Sequence, residues 1–352
     1  MSHQLAKWFI AGILLATLFS CESDFDINGD YIEKVVVFGL LDYGEDTNFI
    51  RIEKTFLEAN TNAILLAANS EQIFYGNNEL EVYLEEWNNG IYQRTIPVTY
   101  VDGDSLGLEK EEGVFATSPN ILYRITTPLD STSAYTIYII KTATGDTITA
   151  TTQLVQNYHL YFPTYTTSYV NFADTGKMTY TCKQAVNAML YELTMDFNYY
   201  EKNVITGDSV LKTINWQIFN NKEGDNIEGN GNISYVVLSH AFFNFLASSI
   251  DENPDVIRTA VSVNYHWYAG GKEVYDLYLN MLANMGINQE YISPEYTNVN
   301  GGIGLFSSRH GQHVMDLSLY EATIDSIACG SITGNLRFLS SPANPAYPGC
   351  SF

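Results

Sequence analysis

Between residues 33 and 157 apolar and polar positions alternate in short runs broken by turn residues, the period of strands with one face buried. Val35–Leu41 reads as a strand that pairs with residues 48–53. Leu80, Val82 and Leu84 alternate with Glu79, Glu81, Tyr83 and Glu85. Asn89-Gly90 then supplies the two positive φ angles of a tight hairpin, and residues 91–100 return. Residues 134–141, a Gly145-Asp146 turn and residues 147–154 form the clearest hairpin. Seven or so strands in this length predict an immunoglobulin-like β-sandwich.

Pro163 and the Tyr/Thr stretch near 164–169 mark a boundary, and longer strands follow. Met189, Tyr191, Leu193, Met195, Phe197 and Tyr199 fall on one face of a strand that pairs with residues 212–219. A helix is expected over about 239–250, with Ser239 as its N-cap and Phe242, Phe245, Leu246 and Ile250 inward. A second spans about 272–285, with Val274, Leu277, Tyr278, Met281, Leu282 and Met285 on one stripe and Gly286 as its stop. Residues 258–268, 301–306 and 314–319 read as three further strands. The predicted fold class is mainly β with some α: an N-terminal sandwich over 33–157, then a β-rich α+β domain with two helices over 158–352.

The amino terminus has another pattern. Lys7 precedes a mainly apolar run over 8–19, followed by Ser20-Cys21 and the acidic Glu22-Ser23-Asp24-Phe25-Asp26. The run fits the apolar stretch of a secretory signal and is short for a membrane span. Residues 1–20 are expected to be a lipoprotein signal peptide resembling a bacterial lipobox, with lipid attached at Cys21. Phe19 departs from the smaller residue common there, and an ordinary signal peptide with a chance cysteine is the alternative. Residues 21–32 are then an acidic tether, either a surface-export signal or a solvated spacer.

Charge narrows the partners. The chain carries 17 Lys+Arg against 40 Asp+Glu, a formal net charge of −23, and loss of Lys7 with the signal takes it to −24. Such a field opposes nucleic acid and anionic lipid surfaces. Besides Cys21 the cysteines are Cys182, Cys329 and Cys350. Three pairings are open; Cys329–Cys350, which ties down the C-terminal tail, is the one expected, leaving Cys182 as a buried thiol.

Candidate chemistry is sparse. In His310-Gly311-Gln312-His313 glycine opposes a helix, and three residues along a strand the rings face opposite sides, so loop histidines are expected rather than metal ligands. Asp24-Phe25-Asp26-Ile27-Asn28-Gly29-Asp30 matches the first half of a calcium loop, but its twelfth position is the apolar Val35. Residues 222–232 read as a flexible polar loop. Glu85-Glu86 and Glu111-Glu112 read as solvated pairs, not as carboxylates facing across a cleft. Trp87, Trp216 and Trp267 are expected mostly in the core, with sugar or peptide stacking as the alternative. Asp104-Ser105, Asp130-Ser131, Asp146-Thr147, Asp208-Ser209 and Asp325-Ser326, each followed by Thr or an aliphatic residue, resemble O-glycosylation acceptors of exported Bacteroidota proteins. No catalytic residue, metal ligand or cofactor is assigned.

One stretch is specific: Tyr296-Thr297-Asn298-Val299-Asn300-Gly301-Gly302-Ile303-Gly304-Leu305-Phe306-Ser307-Ser308-Arg309. Its glycines are expected to form a bulge or tight turn that carries Phe306 into the core, with a ligand-contacting loop as the alternative. With the early strand, the 135–154 hairpin, Asn215-Trp216 and Ala269-Gly270-Gly271-Lys272-Glu273, it resembles a family of Bacteroidota outer-membrane lipoproteins defined by a domain of unknown function. Cys329 and Cys350, in place of a tight cysteine pair, depart from many relatives. The resemblance implies an outer-membrane lipoprotein working beside a TonB-dependent transporter. Together with the anchor, the sandwich and the missing catalytic motifs, this makes a non-enzymatic binding or accessory component the expectation, surface-exposed where the acidic stretch acts as an export signal, with a glycan or peptide as the ligand its aromatic residues would stack on. A surface glycan hydrolase and a structural or adhesive envelope protein are the alternatives.

Overall fold

The computed structural model describes residues 33–56, 63–173, 176–285 and 296–341. In the first half the elements are β1 (Val35–Leu41), β2 (Asn48–Lys54), the short helices α1 (Ala63–Ala67) and α2 (Ser70–Ile73), β3 (Leu80–Asn88), β4 (Ile91–Pro97), β5 (Thr99–Asp102), β6 (Ile121–Ile125), β7 (Ala134–Lys141) and β8 (Thr147–Gln153). Then come β9 (Leu160–Phe162), β10 (Tyr169–Val170), β11 (Lys177–Lys183), β12 (Ala188–Asn203), β13 (Ser209–Glu223) and β14 (Asn232–Leu238). Helix α3 (Ser239–Ser249), β15 (Val256–Gly271), α4 (Lys272–Met285), β16 (Ile303–Leu319) and α5 (Glu321–Cys329) complete the order.

The fold is mainly β with some α. Strands β1-β2-β6-β5 form one layer of the first half and β4-β3-β7-β8 the other. This is the A-B-E-D and C′-C-F-G order of an immunoglobulin-type sandwich. Its hairpins sit where their turn residues demand: Asn89 and Gly90 have φ of 50° and 76°, and Gly145 has φ of 77°. Tyr135, fully buried at the start of β7, accepts a hydrogen bond from the Asp130 N–H at 2.7 Å, the tyrosine corner of such sandwiches. Ile50, Ile52, Leu84, Ile137 and Ile139 close the core between the layers.

The first layer does not stop at β1. Strand β16 pairs with β1 in parallel, Val36 opposite Ile303 through Leu41 opposite Ser308. The sheet continues as β16-β15-β12-β13, giving nine strands when β10, paired to the far end of β16, is included. A second core, with Trp267, Tyr265, Phe197, Phe242 and Phe338, lies under these long strands, while Phe306 of β16 belongs to the first core. Strands β14-β11-β9 form a separate sheet.

Several expectations are corrected here. Residues 301–306 and 314–319 are not two strands around a loop; β16 runs unbroken from Ile303 to Leu319, so His310-Gly311-Gln312-His313 lies within a sheet. Met189 leaves the buried face of Tyr191, Leu193, Met195, Phe197 and Tyr199 because the ladder slips between Ala188 and Leu190. Leu238, not Ser239, is the N-cap of α3, and the Ser239 hydroxyl is buried without a hydrogen-bond partner. Helix α4 forms over Lys272–Met285 where it is expected, but its apolar stripe is only partly covered: no residue of α4 is buried, and Met281, Leu282 and Met285 are exposed. Residues 222–232 are pinned rather than loose, since the Asn187 N–H donates to the Ile227 carbonyl and the Gln184 N–H to that of Gly231.

The glycine stretch is structural. Gly304 has φ of 113°, and a Cβ there would lie 2.0 Å from the Val37 carbonyl oxygen. Asn298 reads the backbone beside it, donating to the Phe306 carbonyl at 2.7 Å and accepting from its N–H at 2.9 Å. The tight-turn reading holds rather than a bulge: Gly301, with φ of 77°, turns the chain into β16, the register with β1 is unbroken, and Phe306 is fully buried. Gly304→Ala is expected to cost upwards of about 3 kcal/mol in a denaturant titration, through strain and clash together. Gly90→Ala, at a turn with open space around it, should cost about 1 kcal/mol. Equal losses at the two positions would contradict this.

At the other end of β15 the Arg258 side chain is 3% exposed and pairs with Glu201 at 2.8 Å; Lys212 reaches the same carboxylate at 2.6 Å. Arg258 also donates to the Leu336 and Asp251 carbonyls. Burial alone would raise the Glu201 pKa, but the two cations outweigh it and hold it below the usual value. A depressed carboxylate contributes stability above its unfolded pKa and loses it as pH falls through the folded value. Glu201→Gln should therefore cost about 2–3 kcal/mol at neutral pH and flatten the stability profile below about pH 4.5. An unchanged acid limb would count against the pairing.

Candidate functional site

A cleft of about 690 Å³ opens where the β1–β2 turn, the connector after β8 and the middle of β16 meet. Its walls are Tyr43, Tyr158, Tyr165, His159, His310 and Gln312, together with backbone at Gly44 and Gly311. The pairing of Leu41 with Ser308 fixes the geometry, because it brings Asp42, one residue beyond Leu41, beside His310, two residues beyond Ser308. Asp42 Oδ1 accepts from His310 Nδ1 at 2.8 Å and from the Gly44 N–H at 2.8 Å; Oδ2 accepts from the Gly311 N–H at 3.0 Å. A carboxylate only accepts, so His310 carries its hydrogen on Nδ1 and leaves Nε2 bare in the neutral ring.

Tyr43 lies over that ring, with centroids 4.4 Å apart and planes 23° from parallel, and its hydroxyl is 3.2 Å from Nε2. Burial, then the Asp42 charge, push the Tyr43 phenol up. It is therefore a protonated donor to Nε2 and a poor nucleophile. Tyr158 meets His310 edge-on at 6.0 Å. Gln312, 6% exposed, donates to Asn157 Oδ1 at 2.8 Å and to the Tyr158 carbonyl, and accepts from the Tyr165 hydroxyl at 3.1 Å. Tyr165 itself is 68% exposed, a ring standing free at the rim.

The chemistry of this arrangement is recognition. The Asp42 oxygens are spent on three N–H groups that tie the β1–β2 turn to β16, so the carboxylate orients a histidine and anchors backbone. The accessible surface consists of aromatic faces, hydroxyls and amides, which stack on and hydrogen-bond to neutral polar ligands. A second cleft, about 370 Å³, shares Asn157, Tyr158 and His159 and is closed by Gln184, Glu228 and Asn230.

The residues singled out from sequence are scattered. Cys21, Cys350 and the 24–30 acidic run lie outside the described residues. Cys329, at the end of α5, is disulfide-bonded. Cys182 is a free, fully buried thiol, pushed up to about 12 by burial. Glu86 is not solvated: it is 5% exposed on the inner face of β3, paired with Arg94 at 2.5 Å and accepting from Ser133. Glu111 and Glu112 are exposed. Trp267 is fully buried; Trp216, half-buried, stacks on Phe245 at 5.5 Å. Trp87 meets Tyr92 edge-on, on the outward face where Tyr83 stacks on Tyr138 at 5.1 Å. Among the acceptor-like triplets Ser105, Thr147 and Ser209 are exposed, whereas Ser326 back-bonds within α5 to the Ala322 carbonyl.

Sequence reasoning missed Asp42, Tyr43, Tyr158, Tyr165 and Gln312 as a group. Asp42 and His310 are 268 positions apart, and only the β1–β16 register joins them. Comparison with protein-family models gives no match, and comparison with curated proteins gives none either.

Replacing Asp42 by Ala strips three N–H donors of their acceptor. The expected loss is about 3 kcal/mol, with Asp42→Asn retaining part of it, read by chemical denaturation. Gly311 amide exchange should speed up in the Ala variant. Slow exchange there would show that Asp42 does not hold the turn.

Proposed function

We propose that the chain is a lipid-anchored cell-envelope protein that binds a glycan or peptide without transforming it, as an accessory component of an outer-membrane TonB-dependent uptake system. The observation that carries this reading is the cleft at Tyr43, Tyr165 and Gln312: aromatic faces and amides surround a carboxylate already saturated by hydrogen bonds. Uncharged hydroxyl-rich or amide-rich ligands suit such walls, and a strongly acidic protein repels anionic ones.

Placement supports the address. The tether from Cys21 enters at the start of β1, and Tyr43 lies beyond the far end of that strand, about 25 Å along the chain. The fourteen peptide steps from Cys21 to Val35 reach at most about 50 Å when extended, enough for an anchored molecule to present the cleft away from the lipid. Two or more acyl chains make that anchoring stable. No helix among the described residues is long and apolar enough to cross a membrane. The resemblance of residues 296–309 to outer-membrane lipoproteins points to the same address.

The test combines anchor and cleft. Wild-type protein should incorporate labelled palmitate and fractionate with membranes, whereas Cys21→Ala should do neither. Photo-crosslinking from position 165 in intact cells should capture a glycan or peptide together with an outer-membrane transporter, and Tyr43→Ala should reduce the yield about tenfold. Palmitate uptake by the Cys21→Ala variant would remove the anchor; a crosslinked ligand that is cleaved on incubation would replace binding by hydrolysis.

A further inference from the structure

The opposite face of the long sheet carries a histidine pair. His266 of β15 and His313 of β16 are directly opposed in the antiparallel ladder. Their Nδ1 atoms are 2.9 Å apart, and the ring centroids are 5.0 Å apart. His266 Nε2 lies 3.0 Å from Asp196 Oδ2 on β12, and Asn215 of β13 donates to the other oxygen of that carboxylate at 2.8 Å. Four adjacent strands therefore build one row: amide, carboxylate, imidazole, imidazole. The side chains of His266 and Asp196 are 18% and 24% exposed, so the row is reachable from solvent.

The tautomers follow from the carboxylate. Asp196 only accepts, so His266 Nε2 carries the hydrogen, and the Nδ1 of the neutral ring is a bare donor pair facing His313. A carboxylate that fixes one ring nitrogen so that the other is free for a cation is the arrangement found behind metal-binding histidines. The spacing discriminates among metals. Two nitrogens 2.9 Å apart, each at about 2.0–2.1 Å from a common ion, subtend about 90° at that ion. That is the cis angle of a tetragonal or octahedral ion and falls short of the tetrahedral angle preferred by Zn²⁺.

The geometry points to a two-histidine site, His266 Nδ1 and His313 Nδ1, that takes a tetragonal divalent cation of the Cu²⁺ or Ni²⁺ class, with Asp196 as the positioning residue. Among the described residues no three histidine, cysteine or carboxylate side chains converge on one point, so water supplies the remaining ligands. Metal entry replaces the hydrogen between the two Nδ1 atoms; His313 then carries its hydrogen on Nε2 by exchange with solvent, and the net proton count of the neutral pair is unchanged. Asp196 faces His266; the titratable groups that act on His313 are His266 itself, Glu45, Asp42 and Arg309, and Arg309 is drawn aside over the Tyr268 ring at 4.6 Å.

The test is a Cu²⁺ titration of the full chain followed by pulsed electron paramagnetic resonance and calorimetry. One equivalent should show coupling to two imidazoles. His266→Gln and His313→Gln, chosen to keep a polar group of similar size on the strand, should each reduce this to one imidazole and weaken binding by at least tenfold. Asp196→Asn should keep both imidazoles but weaken binding about 10–100-fold. Near-ultraviolet circular dichroism of each variant confirms that it folds. Two-imidazole coupling that survives either Gln substitution, or a bound copper without imidazole coupling, overturns the site.

Discussion

Backbone contact between β1 and β16 at Gly304 governs the rest of the molecule. The two strands run parallel, and at Gly304 the chain passes so close to the Val37 carbonyl that no side chain fits. Parallel neighbours cannot be joined by a tight hairpin, and these two are separated by most of the sequence. The closure entropy of such a long loop must be offset by what the pairing brings together. What it brings together is considerable: Phe306 completes the core of the sandwich, while Val314 and Leu317, further along the same strand, line the other core. Ser307 and Ser308 add polar ties, to Glu273 at the start of α4 and to the Gln153 carbonyl at the end of β8. One strand thus spans two cores.

The cleft is a consequence of that register. A shift of one residue would send every side chain of β16 to the opposite face and separate Asp42 from His310. The carboxylate marks the register energetically, because its three donors include two backbone N–H groups that would otherwise be left without a partner. Charge is handled similarly elsewhere. Cations are scarce, and Arg258 and Arg94 are committed to buried or half-buried carboxylates. Solvated acidic groups remain to give the surface its sign.

Local rules were legible where local physics decides. The Asn89-Gly90 and Gly145 turns, the alternation of β3 and the burial of Phe242 and Leu246 follow from backbone angles and periodicity, which neighbouring residues suffice to set. Met189 was misplaced because a bulge shifts phase without any mark in composition. The apolar stripe of α4 has helical spacing, yet spacing states only that one face is apolar, not that something covers it. Glu86 was read as solvated because its partner Arg94 lies across a hairpin and Ser133 on another connection. The candidate site was the least legible part. Its aspartate, tyrosines and glutamine belong to three segments distant in sequence, and none carries a motif of its own.

His310-Gly311-Gln312-His313 shows why the misreading of β16 matters for chemistry. Treated as a loop, the four residues would share one environment. Within a strand they divide between faces: His310 and Gln312 point to the cleft, while His313 meets His266 on the other side. Gly311 separates them for a steric reason, since a Cβ there would come within 3.0 Å of the Tyr268 ring and 3.1 Å of the His313 imidazole. The residue that argues against a helix, and seemed to argue for a loop, is what leaves room over the sheet for the Tyr268 ring and the His313 imidazole, which meet edge-on at 5.5 Å. Glycine inside a strand can therefore mark a place where neighbouring side chains need the space above the backbone. In this chain the two faces it serves hold the cleft and the histidine pair.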